Sequence, residues 1–340
     1  MKAMRVPQFV GGGRITFGDK PRPEPGEGQL LIAVQANALC GSEKGQFHHG
    51  SGATPGHEAA GLVVAAGPGT KTPVGTPGAI FLMDFCGQCR SCKAGHTNQC
   101  SAKRADMGFS HDGGYGPFEL IHENIFFPTG ADISATEATL LLDIMGTGGH
   151  ALGRAGRIRP DIESLLIMGA GPIGLGVLAM ARVLFPREMP IHIADFTAYR
   201  LKLAEQLGGT PINLAGRDSA RLLDGALPQP TDVAVDTSGK AAARQAALGA
   251  LGKRGVLVCV GHGEGLAIDV SPQLIGPERA VLGSEYFAFT EMAGNLELLR
   301  KHRAYFNQII THRFGIDEIQ HAFELFFRGD TGKVVIEQSG

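Results

Sequence analysis

The sequence predicts a two-part chain: a mainly β, barrel-like part joined to a doubly wound α/β part with a parallel sheet. Three observations predict it. Residues 1 to about 130 are short apolar runs broken by Gly and Pro at strand-like spacing. From Ser164 onward, continuous apolar runs alternate with helix-type segments, the pattern of a parallel sheet covered on both faces. At 340 residues the chain is too long for one core of ordinary size and about right for two.

Each element follows in order. LLIAVQANAL (30–39), GLVVAAG (61–67), PGAIFLM (77–83) and ENIFFPTG read as strands of the β part. At Ser134 the pattern changes. SATEATLLLDIMGTGGHAL has serine in N-cap position and an acid three residues later, the start of a helix with a capping box. LLIMGAG (165–171) is then a strand running into a glycine turn, PIGLGVLAMARVLF (172–185) a helix, and PIHIAD (190–195) the next strand. YRLKLAEQLG is a helix stopped by glycine, and DVAVDTSG (232–239) and GVLVCVG (255–261) are strands flanking an alanine-rich helix. One more long helix, TEMAGNLELLRKH, and a closing strand, KVVIE (333–337), complete the chain.

Composition narrows the chemistry. Lys and Arg number 31 against 33 Asp and Glu, a net charge of −2, so no basic excess suits a nucleic acid. At 43% apolar and 19% charged residues the chain folds rather than staying disordered. Tryptophan is absent and aromatics make up 6%, which disfavours a base-stacking or carbohydrate platform. No run approaches the ~18 apolar residues of a membrane span, and MKAMRVPQFVGGG is no secretory signal, so a cytoplasmic location with reduced thiols is expected.

Gly169-Ala170-Gly171-Pro172-Ile173-Gly174 fits G-x-G-x-x-G between an apolar strand and a helix, and Asp195 ends the next strand. The glycines permit a tight turn and close backbone approach, while the helix N-terminus offers N–H groups to a pyrophosphate. Asp195 would accept from a ribose diol and repel a 2′-phosphate, favouring NAD over NADP. Arg200 is the countervailing cation, unless it pairs with Asp195.

Cysteine usage points to metal. Cys86, Cys89, Cys92 and Cys100 lie within fifteen positions, and four thiolates at such spacing favour a closed structural zinc site over an iron–sulfur cluster or loop disulfides. A fifth, Cys40, precedes Gly41-Ser42-Glu43, and His57-Glu58 follows seventeen residues later.

With the four-cysteine loop and the glycine fingerprint, these residues resemble the zinc-dependent medium-chain dehydrogenase/reductase family of alcohol, polyol and threonine dehydrogenases, from Cys40 to the terminal GKVVI. The resemblance implies a GroES-like barrel catalytic domain over residues 1–145, with the structural zinc loop. It implies a Rossmann cofactor domain over 146–288 and a C-terminal return to the catalytic domain over 289–340. Cys40 and His57 would hold catalytic zinc, with Glu58 a ligand or an exchangeable neighbour, and Asp143 a further ligand or an acid behind the metal. Ser42 would begin a proton relay, and Glu43 would orient His57. Val260, Gly261 and His262, with Gly283 and Ser284, would line the nicotinamide side. Two zinc ions per chain and NAD are then the cofactors, and hydride transfer is expected in a cleft between the domains.

The sequence also departs from the family's pattern. Glu43 replaces the more usual aspartate, and Gly45 stands where many members carry a relay histidine, with His48 and His49 nearby. A carboxylate at Glu58 and Asp143, with no third cysteine, resembles the polyol and threonine branches, so secondary, sugar or amino alcohols are the expected substrates. Alternatives are an L-threonine 3-dehydrogenase-like or simple alcohol dehydrogenase, and a catalytically inactive dinucleotide-binding protein. Zinc-free quinone reductases lack the Cys–His–Glu set. Relatives are dimers or tetramers, and GSEYFAF (283–289) is a plausible edge for a homodimer or homotetramer.

Overall fold

The computed structural model describes residues 3–338. The chain divides into two compact units, one formed by residues up to Leu142 and from Phe287, the other by Asp143–Tyr286.

The first unit is built on the strand Gln29–Ala38, buried along almost its whole length. Along one edge it pairs antiparallel with Ala59–Ala66. Its other edge takes Phe118–His122 at the start and the C-terminal strand Lys333–Glu337 at the end. The sheet continues through Pro77–Ile80 to Phe126–Pro128 on one side and to Ile310–Gly315 on the other. A hairpin, Ala3–Gly11 with Arg14–Pro21, forms a separate two-stranded sheet. An aromatic core of Phe9, Phe47, Tyr115, Phe323 and Phe326 packs beneath Leu39, Val334 and Ile336.

The run PGAIFLM is not one strand. Pro77–Ile80 stays in the main sheet, while Met83–Asp84 pairs with Ala105–Asp106 in a second two-stranded sheet. Phe81 and Leu82 make the transfer, the Phe81 N–H donating to Ile125 O and Leu82 O accepting from Met107 N–H. That switch launches the four-cysteine loop away from the main sheet.

The second unit carries a six-stranded parallel sheet. Its order is Thr210–Asn213, Ile191–Asp195, Leu165–Met168, Thr231–Asp236, Leu251–Cys259, Ala280–Gly283. In chain order within the unit this is 3-2-1-4-5-6, the doubly wound arrangement whose order reverses between the first and fourth strands. At that point Thr237 Oγ1 donates to Met168 O and Gly169 O, both at 3.1 Å, tying the fourth strand to the glycine turn.

The helix expected from Ser134 onward is broken. Its capping box forms, with Ser134 Oγ accepting from Glu137 N–H and Glu137 accepting from Ser134 N–H. After Ala135–Ala138, however, the chain tightens into a 3₁₀ turn at Thr139–Leu141 and widens into a π-helical turn at Asp143–Thr147 before Gly148–Ile158 resumes as α-helix. Packing decides this. A Cβ at Gly176 of the Pro172–Leu184 helix would lie 2.4 Å from Ile144 O, so backbone meets backbone there and regular geometry gives way. Among the described residues no helix is long and apolar enough to cross a membrane.

Candidate metal and dinucleotide sites

Strand pairing explains how residues far apart in sequence converge. Asn37 and Ala59 are register partners, so Cys40 just beyond one strand and His57-Glu58 just before the other lie side by side. The Ala38 N–H donates to Glu58 O at 3.1 Å, and the Leu39 N–H to Val334 O at 2.9 Å. Asp143 is where the chain leaves this unit. One ligand atom from each of Cys40, His57, Glu58 and Asp143 lies within 4.8 Å of the other three, and all four residues are buried. A thiolate, an imidazole and carboxylate oxygens at such separations suit zinc. Asp143 Oδ1 also accepts from the Thr147 hydroxyl at 2.9 Å, one turn along the π-helical segment.

Glu43 lies behind this group. Its Oε1 faces His57 Nδ1 at 3.5 Å, and its Oε2 accepts from the Cys40 N–H at 3.1 Å and the Tyr115 hydroxyl at 2.9 Å. Phe109 packs its ring on His57, centroids 5.2 Å apart. Ser42 is exposed, as are His48 and His49; the His48 ring packs against Phe47 and Phe327.

The four-cysteine loop is a local construction. Cys86 follows the Met83–Asp84 strand, Cys89 immediately precedes the short helix Arg90–Lys93, and Cys100 closes the loop after a 3₁₀ turn. Sulfur separations are 3.5 Å for Cys89–Cys92, 3.9 Å for Cys89–Cys100 and 4.0 Å for Cys86–Cys92. Four sulfurs at ~2.3 Å from one zinc ion define a tetrahedron with edges of about 3.8 Å, so the spacing fits. Backbone N–H groups of Gln88 and Cys89 hold the Cys86 thiol below its usual range. N–H groups near Cys92 and Ser101 bring Cys89 down to about 5. Burial, with the neighbouring sulfurs, pushes Cys92 up to about 12. Four thiolates in so small a space need a cation. Arg104 braces the base of the loop, donating to both Asp84 oxygens, at 2.9 and 2.5 Å, and to Phe85 O.

In the second unit Gly169-Ala170-Gly171 leads into the helix Pro172–Leu184, with proline in its first turn. A Cβ at Gly174 would lie 1.9 Å from Gly169 O, so only glycine lets the turn pack this closely. Asp195 accepts from Ala170 N–H at 2.7 Å and Thr197 N–H at 2.8 Å, which fixes its carboxylate beside the turn. Both carboxylate oxygens keep lone pairs for further donors, as a ribose diol requires. Arg200 Nη1 lies 3.8 Å from where a Cβ on Gly171 would sit, over the same turn. The Val260-Gly261-His262 stretch is clamped: Val260 and Gly261 N–H donate to Asp236 O at 2.8 and 3.0 Å. Arg244 pairs with the fully buried Asp236 at 2.9 Å and donates to Gly261 O and Glu264 O. Gly283 ends the edge strand, and the Ser284 N–H donates to Cys259 O at 2.9 Å.

Residues 26–130 match the family model of the alcohol dehydrogenase GroES-like domain, and residues 149–338 match that of the glucose dehydrogenase C-terminus. The chain belongs to the zinc-dependent medium-chain dehydrogenase/reductase family. It is 27% identical to the uncharacterized zinc-type alcohol dehydrogenase-like protein YphC of Escherichia coli strain K12, with 99% of each chain covered. With the L-threonine 3-dehydrogenase of Shewanella woodyi it shares 29% identity over 94% of each chain. In structure it resembles a short chain alcohol dehydrogenase, rspB, of Escherichia coli CFT073, complexed with NADH. The TM-score is 0.87 at 20% identity, covering 98% of this chain and 99% of that one, a likeness of fold. This dehydrogenase is thus a zinc-type alcohol dehydrogenase-like oxidoreductase.

Two residues of this dehydrogenase's site lie outside the sequence expectation. Lys333, fully buried, pairs with the equally buried Glu58. Tyr115 holds Glu43. Lys333 did leave a signal, a cation at the head of the apolar run KVVIE; Tyr115, inside HDGGYGPFEL, left none.

Proposed function

We propose that the protein oxidises secondary alcohols (polyols, sugar alcohols or amino alcohols) with NAD, using one catalytic zinc ion and one structural zinc ion per chain. A cytoplasmic location and a homodimeric or homotetrameric assembly belong to the same reading. The observation that carries it is the buried convergence of Cys40, His57, Glu58 and Asp143. Zinc held there would supply Lewis-acid chemistry at the alcohol oxygen and NAD would supply the hydride acceptor, so that a secondary alcohol would give a ketone.

The chain's own residues do the rest. Cys40 and His57 hold the ion; Glu43, facing Nδ1 of His57 at 3.5 Å, favours the tautomer that leaves Nε2 as the donor. Glu58 and Asp143 supply negative charge at the same point. Ser42, exposed two residues after Cys40, would accept the substrate's hydroxyl proton while handing its own toward the cofactor ribose and then solvent. Asp195 binds the adenosine ribose diol and sets NAD above NADP, with Arg200 as neighbouring cation. Gly171-Pro172-Ile173-Gly174, at the helix N-terminus, would hold the pyrophosphate. Val260, Gly261 and His262, with Gly283 and Ser284, line the nicotinamide side.

The test is Cys40→Ser: turnover falls by roughly 1,000-fold, since the Lewis acid supplies several kcal/mol, while NADH titrates as in the parent protein. A variant that kept its activity would overturn the assignment. One zinc ion and no turnover in the parent protein would favour a non-catalytic dinucleotide binder. Polyols, L-threonine and simple secondary alcohols, each assayed with NAD and NADP, identify the substrate class.

A further inference from the structure

We propose that Tyr115 is a positioning residue for the Cys40–His57 metal site, acting through the Glu43 carboxylate. The inference rests on the metal-binding reading of Cys40 and His57 given above.

A glutamate side chain has three rotatable bonds, so its carboxylate faces a histidine only if something fixes it. In this chain the fixing comes from two donors on one oxygen: Glu43 Oε2 accepts from the Tyr115 hydroxyl at 2.9 Å and the Cys40 N–H at 3.1 Å. The other oxygen is thereby aimed at His57 Nδ1, 3.5 Å away. The Cys40 N–H belongs to the chain being positioned, so Tyr115 is the external reference. Its ring is fully buried, stacked on Phe9 with centroids 6.2 Å apart and edge-on to Phe323 at 5.6 Å. Close packing of that kind holds the ring in place.

The backbone closes the circuit. Gly113 N–H donates to Thr54 O at 2.7 Å, Gly114 N–H to Gly56 O at 2.8 Å, and Tyr115 N–H to Pro55 O at 3.2 Å. The segment carrying Tyr115 is therefore zipped to the three residues that lead into His57. One segment sets the backbone of the imidazole and, through Tyr115 and Glu43, the orientation of its ring. Burial, with the negative charge of Glu43, holds the phenol well above its ordinary pKa, so the hydroxyl remains a donor.

Tyr115→Phe removes one hydroxyl and keeps the packed ring. The experiment exchanges zinc from the full-length, zinc-loaded protein against graded concentrations of a chelator and counts the zinc remaining. We expect one of two zinc ions to leave at about 10-fold lower chelator, the usual scale for a group behind a metal ligand, while the four-cysteine zinc exchanges as before. Glu43→Gln, which reaches the same hydrogen bond from the other side, weakens the same zinc. In that background Tyr115→Phe adds less than twofold. An unchanged exchange curve overturns the proposal, as does an equal shift with and without Glu43, which would mean the hydroxyl acts through packing alone. If Cys40→Ser still bound two zinc ions, the metal reading would fail instead, and that result is separable.

Discussion

The two groups of side chains that could hold a metal ion are built by opposite means. The four-cysteine loop gathers all its ligands within fifteen positions, uses its own backbone N–H groups to stabilise the sulfurs, and lies half-exposed on a two-stranded sheet. The Cys40–His57 site takes ligands from separate segments, all buried, and depends on strand register to bring them together. A local site can form as soon as its loop closes, at little entropic cost. A register-built site exists only once the sheet is complete. The buried carboxylates there also take partners from the fold: the Lys333 ammonium for Glu58, and the neutral Tyr115 hydroxyl, as a hydrogen-bond donor, for Glu43.

Mutations should separate the two. In Cys100→Ser the loop loses a thiolate and its zinc. Folding energy is lost with the ion, and the melting temperature falls by roughly 10 °C, the equivalent of ~3–5 kcal/mol in a unit of this size. Cys40→Ser also drops to one zinc ion, but it loses turnover with a much smaller change in melting. Metal analysis alongside calorimetry reads both. If Cys40→Ser melted as early as Cys100→Ser, the division into a structural and a catalytic ion would collapse.

Lys333→Met probes the compensation. Both members of the Lys333–Glu58 pair are fully buried, so in metal-free protein removing the ammonium takes from the carboxylate a counter-charge that solvent cannot replace. The expected cost is about 3–5 kcal/mol, read by denaturant unfolding near neutral pH. Converting Glu58 to Gln in the same chain should recover much of it, because the uncompensated charge is then gone. Equal stability of the single and double variants would mean that Glu58 does not depend on Lys333.

These contrasts also explain what the sequence revealed. The four cysteines were legible as a unit because their chemistry is written in their spacing. The parallel sheet was legible because strands such as LLIM, buried at every position, must read as continuous apolar runs. Cys40 and His57 were legible only by family likeness, since nothing in their seventeen-residue separation says that Asn37 pairs with Ala59. The broken helix at 139–147 was not legible. Its capping box promised one helix, and the box is there, but a backbone contact with Gly176, more than thirty residues away, overrides the propensity. Tyr115 was hidden for the same reason: its partner Glu43 is a neighbour only in space.

Glu119 offers the smallest effect and the finest comparison. Like Glu58 it is a buried carboxyl of the first unit, facing Ile32 in the register of Phe118–His122 with Gln29–Ala38. Unlike Glu58, neither of its oxygens has a hydrogen-bond partner among the described residues. Burial pushes its pKa well above the usual carboxylate range; the charge of Asp112 adds to this, and His57 works the other way. At pH 4 the carboxyl is largely protonated in both folded and unfolded chains, so it contributes little to the balance. As pH rises through the ordinary carboxylate range the unfolded chain releases this proton and the folded chain keeps it, so stability falls until the folded pKa is passed. Glu119→Gln lacks that titration. Its melting temperature should equal that of the parent protein near pH 4 and exceed it by a few degrees at pH 8, on the scale of ~2–4 °C per kcal/mol. A difference that stayed constant across this range would assign the effect to shape rather than to charge. Glu119 would then be as well accommodated in its ionised form as Glu58 is beside Lys333.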